Sequence, residues 1–316
     1  MVPCSLNYLP GLNALLNGLD LYENTADVWV MEEKIPESYK KEAKKAFNFK
    51  LEFIPIVDLL EGEISLNKKI PSSFYRWVFS PYVMYLRLKE KYNAVAFIGA
   101  DMVVVDNIMK WFEIADKTGL IVTADNSYSM TQMNEIPKAS VNMNGLLSID
   151  PISDAPAFMN PRIHEDVIRK TLEFGNLTHS NMNAFSSAIH ALNKNDKVLT
   201  LDSELWTCGV YYLFQMYRSK GLKDRYVYFA NRERIHTIHK KWWLDAVIYQ
   251  ALYDKVPGTW LHDNTMLNSQ ILSGLYRTFN TQYKVKYDYP KNEVFDKLKS
   301  GELLYKHQKV AQNKKK

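Results

Sequence analysis

Short apolar runs alternate with stretches of helical spacing along the first part of the chain, and this alternation constrains the fold more than any other feature of the sequence. Met1–Cys4 opens mostly apolar, then Leu9, Leu12, Leu15, Leu16 and Leu19 recur at helical spacing, and Asp27–Met31 is apolar again. Pro10 suits the first turn of that helix, Asn7 lies just ahead as a cap, and Asn24 and Thr25 mark its stop. The unit repeats: a polar helix near Ser38–Phe47, a strand Leu51–Ile56, and an aromatic helix from Ser72 towards Tyr92 with Pro81 inside it. A strand Ala94–Gly99, an amphipathic helix near Met109–Thr118 and a strand Leu120–Ala124 follow. Strands separated by helices pair in parallel, so the pattern predicts an α/β fold with a mostly parallel sheet and helices on both faces. Sheets of this kind bind ligands outside the carboxyl ends of their strands.

From Asn126 to about Asn195 the composition shifts to Asn, Ser, Met and Pro, with a Pro-punctuated stretch Asp150–Pro161. This segment, 126–195, reads as an insertion in one domain spanning 1–305, and acceptor recognition is expected there. Beyond it, Trp206–Met216 reads as a strand or a strand–helix junction, Trp243–Tyr253 as a helix and Val294–Lys299 as a short helix. The net charge of +5 belongs to the basic tail 306–316, which carries five lysines and no acid, so the body is formally neutral. A neutral body gives no reason to expect sequence-independent nucleic-acid binding. Cys4 and Cys208 are the only cysteines, too few for a disulfide framework, and a reducing compartment fits. With no basic-then-apolar leader and no apolar run of the roughly 20 residues a membrane span needs, cytoplasmic residence is expected.

The most informative segment is Tyr92–Ile108, a buried strand that runs straight into Asp101 and then into a second apolar run, Met102–Val105. A carboxylate at the carboxyl end of a central strand lies where ligands bind, and it suits a hard divalent cation that holds a diphosphate. An ordinary strand-end aspartate capping a turn would look the same in isolation.

The segment resembles the DxD region of GT-A glycosyltransferases, most nearly family 8, the glycogenin-like and bacterial galactosyltransferase-like enzymes. In that family two aspartates one residue apart end the strand and bind Mn²⁺. Here Asp101 matches the second and Gly99 replaces the first, with Ala100 between them on the nucleotide side. Near the start, Pro3-Cys-Ser-Leu-Asn-Tyr-Leu-Pro-Gly11 resembles the stretch that embraces the base and ribose: Asn7 and Tyr8 match, and Ser5 replaces an acid. An Asn amide can pair with a uracil edge, and a Tyr ring can stack on it. Leu205–Leu213 resembles the family's "F-N-A-G-V-x-x-I" strand, with Gly209 matched and Thr207 in place of the sugar-binding Asn. Trp243–Leu252, followed by Leu267-Asn-Ser-Gln270, resembles "G-D-Q-D-x-L-N-x-x-L" and its sequel; Asp245 matches the acid aimed at the donor sugar, and Ala246 stands in place of the glutamine.

That resemblance implies a metal-dependent, retaining transfer of a hexose from a nucleotide-diphosphate sugar, a UDP-sugar, to an acceptor hydroxyl. Mn²⁺ or Mg²⁺ would sit on Asp101, and Asp245 would face the reacting sugar. Arg76, in Ser73-Phe-Tyr-Arg-Trp77, resembles the basic residue that reaches the donor, since a guanidinium holds a phosphate through two parallel bonds. The family completes its metal shell with a histidine near the C-terminus. His307 has that place in chain order, His236 and His239 compete from Arg234–Trp243, sharing a face on a helix but not on a strand, and a site with no histidine ligand is the third alternative. If the cation binds tightly without nucleotide, a second acid such as Asp106 or Asp125 is implicated. Another class of function stays open: a catalytically degenerate GT-A protein that binds a nucleotide or glycan, because Gly99, Thr207 and Ala246 each replace a polar family residue. A sugar-nucleotidyltransferase is disfavoured by the lack of a glycine-rich loop after the first strand. The acceptor, whether protein, glycan, lipid or nucleobase, is not legible.

Overall fold

The computed structural model describes residues 1–60, 72–125, 152–175, 181–206, 208–209, 222–223, 226–227 and 234–239. β1 (Val2–Ser5) leads through a 3₁₀ turn, Leu6–Tyr8, into α1 (Leu9–Leu21). Next come β2 (Val28–Glu33), α2 (Glu37–Ala46), β3 (Leu51–Pro55) and the short α3 (Ile56–Leu60). α4 (Ser72–Leu88) returns to β4 (Val95–Phe97), β5 (Val103–Val104), α5 (Met109–Thr118) and β6 (Ile121–Asp125). The N-cap position of α1 is Tyr8, one residue after the expected Asn7, and Tyr8 makes no side-chain capping bond. Gly119 ends α5 with φ 64°, the left-handed turn that glycine adopts without a Cβ penalty.

β1, β2 and β3 pair in parallel, in register from Val2↔Val30 and Val28↔Leu51. On its other side β1 meets β4: the Met1 nitrogen donates to Ala96 O at 2.7 Å, and Ile98 N–H donates to Met1 O at 3.1 Å. One residue bracketing another strand in this way is the parallel pattern. β7 (Ile152–Met159) lies antiparallel between β4 and β6, and β8 (Val198–Leu201) extends the sheet parallel to β6. The strand order is therefore 3-2-1-4-7-6-8, with β7 running against the others. α6 (Glu165–Gly175), α7 (Asn181–Ala191) and α8 (Ser203–Trp206) complete the helices.

Alternating side chains divide the core into two layers, as period-2 strands require. Val2, Cys4, Val28 and Val30 face one layer with the leucines of α1, Tyr39 of α2 and Ala115 of α5. Met1, Met31, Val95 and Phe97 face the other, with Phe79, Tyr82 and Tyr85 of α4 and with α6 and α7. Helices thus cover both faces, as the alternation predicted.

The segment 126–195 departs from the expectation of an irregular insertion, because its second half supplies β7, α6 and α7. β7 is an inner strand, and Ser153, Asp154 and Pro156 break the apolar signal that an inner strand usually carries. Internal partners supply the missing polar compensation. Thr123 Oγ1 donates to Ser153 O, and Tyr85 OH donates to Ala157 O at 3.0 Å. Phe158 is fully buried, edge-on to Phe112 at 5.0 Å and to Trp206 at 5.7 Å. Phe158→Ala is expected to cost about 3–5 kcal/mol in denaturant titration, the range for an aromatic truncated in a packed core. A loss below about 1 kcal/mol, the size of a surface change, would show that β7 is peripheral.

Candidate functional site

After β1 the chain winds outward through β2 and β3, and with β4 it returns to the other side of β1. The order reverses between β1 and β4, and outside the carboxyl ends of the strands at such a reversal is the crevice where open α/β sheets bind ligands. Ser5 ends β1, and the half-buried Tyr8 closes the 3₁₀ turn beyond it, with Asn7 in the same turn. Across the crevice Gly99, Ala100 and Asp101 follow β4. Arg76 lies in the second turn of α4, and the next residue anchors that turn to this edge: Trp77 Nε1–H donates to Glu33 Oε2 at 3.0 Å, at the end of β2. Ser5 and Glu33 are register partners on adjacent strands. The side chains of Asn7 and Arg76 lie outside the described set.

At the end of β4 a tight turn is closed by Met102 N–H donating to Gly99 O at 3.0 Å, and Ala100 is buried. A Cβ built on Gly99 would stand 2.5 Å from Asp101 Oδ1. The glycine therefore provides space: the Asp101 carboxylate lies back over the position from which a first aspartate would project.

A second sheet begins where that turn ends. β5 pairs antiparallel with β12 (Thr237–His239), which pairs in parallel with β9 (Cys208–Gly209); β10 (Leu222–Lys223) and β11 (Tyr226–Val227) form a separate antiparallel pair. The register Thr237↔Val104 and Ile238↔Val103, continued by one residue, sets the His239 backbone opposite Met102, next to Asp101. On the other flank His239 pairs with Gly209. Three positions singled out in the sequence, Asp101, Gly209 and His239, thus meet along one edge of this sheet. The backbone from His236 to His239 is extended and not helical, so the helical alternative for this stretch falls away.

His236 is engaged elsewhere, and so is Asp106. Asp106 is 3% exposed; its Oδ2 lies 2.7 Å from His236 Nδ1, and its Oδ1 accepts from Arg234 Nη1 at 3.1 Å and from Asn107 N–H at 2.8 Å. Burial would raise the Asp106 carboxyl, but the His236 and Asn107 hydrogen bonds and the Arg234 charge outweigh it and hold the group below the usual carboxylate range. An ionised carboxylate only accepts, so His236 Nδ1 carries the proton. Asp106 therefore faces β12 and is not a free second acid for a cation. The His236 ring packs on Trp206, centroids 4.6 Å apart, and Asn24 binds the same loop, with Oδ1 accepting from Ile108 N–H and Nδ2 donating to Asp106 O.

No family model matches the sequence, and no curated protein sequence matches it. Solved structures match the fold. The apo structure of the bifunctional glycosyltransferase WbbM is similar with a TM-score of 0.55 at 14% identity, over 88% of this chain and 50% of that one. The chain has a GT-A glycosyltransferase fold. It spans about half the length of WbbM. The galactosyltransferase LgtC, in complex with donor and acceptor sugar analogues, aligns at TM-score 0.48 and 10% identity over 85% of this chain and 95% of that one. Mouse xyloside xylosyltransferase 1 aligns at 0.45 and 14% over 76% and 96%.

The GT-A sheet carries a further polar group at its carboxyl edge that the sequence did not single out. The pairing Phe97↔Ala157, continued along β7, brings Asp154 to the level of Ala100. Asp154 is buried, and its Oδ2 accepts from Tyr82 OH of α4 at 3.1 Å and from the Asn181 amide at the start of α7. An acid among apolar neighbours in an inner strand is costly without such donors, and that cost was the available signal. A cavity of about 260 Å³ with Trp29, Tyr92 and Phe112 in its wall lies at the opposite, amino edge, away from Asp101.

Thr207, Asp245 and His307 lie outside the described residues, as does the side chain of Asp125. Among the described residues no three His, Cys, Asp or Glu side chains gather as a metal cage, and no helix is long and apolar enough to cross a membrane. One consequence of the Gly99 geometry is open to measurement. Gly99→Ala is expected to stay within about 1 kcal/mol of the parent in denaturant titration, since the atom met is a movable side-chain end. It should also displace the Asp101 carboxylate, visible on comparing crystal structures of the two chains. A loss of several kcal/mol would mean that the backbone has no room there.

Proposed function

We propose that the protein transfers a hexose from a nucleotide-diphosphate sugar, a UDP-sugar, to an acceptor hydroxyl, with retention at the anomeric carbon and with Mn²⁺ or Mg²⁺. The observation that carries this is the convergence of Asp101, Gly209 and His239 along one edge, beside the crevice between β1 and β4. A carboxylate at the end of β4, folded back over Gly99, with the His239 backbone next to it, would suit a hard or borderline divalent cation. Asp101 would hold the cation with His239 or His307. A bound cation would supply positive charge to the diphosphate.

The remaining work falls to the chain's own groups. Ser5, Asn7 and Tyr8 would hold the base and ribose, with Ala100 along the nucleotide. Thr207 and Gly209 would let backbone approach the donor. In the transfer the bond from the anomeric carbon to the diphosphate oxygen breaks, and its electron pair leaves with the diphosphate. The acceptor oxygen bonds to the same carbon on the same face and gives its proton to the departing phosphate oxygen. Arg76 would balance the charge growing on the diphosphate, the kind of preorganised electrostatic aid that contributes most to such steps. Asp245 would stabilise the positive sugar. Asp154, fixed by Tyr82 and Asn181, stands at the same edge as a further candidate for the donor sugar.

A second reading, a nucleotide- or glycan-binding protein without turnover, is favoured by Gly99, Thr207 and Ala246. Incubation with Mn²⁺ and a panel of nucleotide sugars separates the two. Slow hydrolysis of one UDP-sugar is expected for the transferase, and binding without turnover for the alternative. Asp101→Asn is expected to weaken UDP binding in the presence of Mn²⁺ by about tenfold or more in calorimetry, as when an oxygen ligand loses its charge. Unchanged affinity would remove Asp101 from the site. Asp245→Asn should keep UDP affinity and lower turnover on the order of a hundredfold, the signature of a group acting on the transition state. Equal loss of binding and turnover would assign Asp245 to donor binding instead.

A further inference from the structure

β5 has two residues and β12 three, so their backbone pairing offers few hydrogen bonds with which to choose a register. A slip of one residue would move every β12 side chain to the opposite face. It would also take His239 out of its place beside Asp101. Something other than the strands must define this pairing, and the buried Asp106 cluster lies at the far end of the same two strands. We propose that Asp106, through His236, is a positioning residue: their hydrogen bond sets the register of β12 on β5 and so holds the His239 position next to Asp101. This rests on the donor-site reading above.

Each link is visible. Val105 N–H donates to His236 O at 2.9 Å, and His236 N–H donates to Leu205 O at 2.8 Å, which fixes the backbone of the segment ahead of β12. The side-chain bond of 2.7 Å from His236 Nδ1 to Asp106 Oδ2 then selects one residue of β12's approach, because no neighbour offers the same donor. Ile235 and Thr237 flank it: Ile235 has no polar side chain, and the Thr237 hydroxyl is already donated to Trp206 O. Arg234 adds a second donor on Asp106 Oδ1, two residues away and on the same side of an extended chain. Asp106 is held in turn by Asn107 N–H at its carboxylate and by Asn24 at its carbonyl, so it is a fixed point on the β5 side. The clasp touches neither the crevice nor Asp101, and it acts on the site only through strand register.

The test separates the hydrogen bond from the packing of the ring on Trp206. His236→Phe keeps a ring and removes the donor; His236→Asn keeps an N–H donor near the Nδ1 position and removes the ring. Asp106→Asn removes the charge. UDP binding is measured by calorimetry across a Mn²⁺ titration and again without metal. The Mn²⁺ concentration for half-maximal UDP binding is expected to rise roughly tenfold in Asp106→Asn and His236→Phe, the lower end of the loss when a ligand-orienting partner is removed. It should stay at the parent value in His236→Asn. Metal-free UDP binding should be equal in all of them, which a general loss of fold would not leave intact. Parent-like Mn²⁺ dependence in His236→Phe, or an equal shift in His236→Phe and His236→Asn, would overturn the clasp. Parental UDP binding that ignores Mn²⁺ would overturn the donor-site reading and the clasp with it.

Discussion

The parallel pairing of β1 with β4 is the constraint on which the rest of the structure depends. Met1 brackets the β4 backbone by two hydrogen bonds, and these join the strands that wind outward to β3 with those that run on to β8. Without that seam there is no reversal of strand order and no crevice for Ser5 and Asp101 to face across. Both apolar layers cross the seam as well. Val2 and Ala96 lie in one layer, and Met1 and Val95 in the other.

Charge is distributed unevenly around this frame. Surface pairs such as Lys117–Glu113 lie in water and contribute little. The buried acids are different, because each has its own set of donors. Glu32 accepts from Lys40 at 2.5 Å and from Ile35 N–H at 3.0 Å; Asp106 accepts from His236, Arg234 and Asn107; Asp154 accepts from Tyr82 and Asn181. Removing one partner from a buried pair costs more than the pair contributes, so such groups hold geometry more than they add stability. Glu32 and Asp154 lie at the carboxyl edge of the sheet, whereas Asp106 faces β12, away from the crevice.

The metal question has the same shape. The chain has one carboxylate at the end of β4, and Gly99 leaves room for it to fold back. If Asp101 held a cation as its one carboxylate, the cation would depend on the phosphates it arrives with, and metal and nucleotide would bind together. In such a site the placement of one imidazole matters more than in a site with two acids.

Local pattern alone determined much of this protein. The strand–helix alternation from Met1 to Asp125, the helix Met109–Thr118 and the strand ending near Asp101 were legible because periodicity and end signals depend on neighbouring residues. β7 was not legible, since an inner strand interrupted by Ser153, Asp154 and Pro156 makes sense only once Tyr82, Tyr85 and Asn181, from elsewhere in the chain, supply its partners. The same holds for Asp106, which in sequence is an acid after an apolar run, indistinguishable from a cation ligand. Only the fold turns it away from the crevice and onto His236, 130 residues later. The choice between helix and strand at His236–His239 was likewise open in the sequence. Pairing with β5 and β9 decided it, because a three-residue strand has no stability of its own and exists only where other strands meet it.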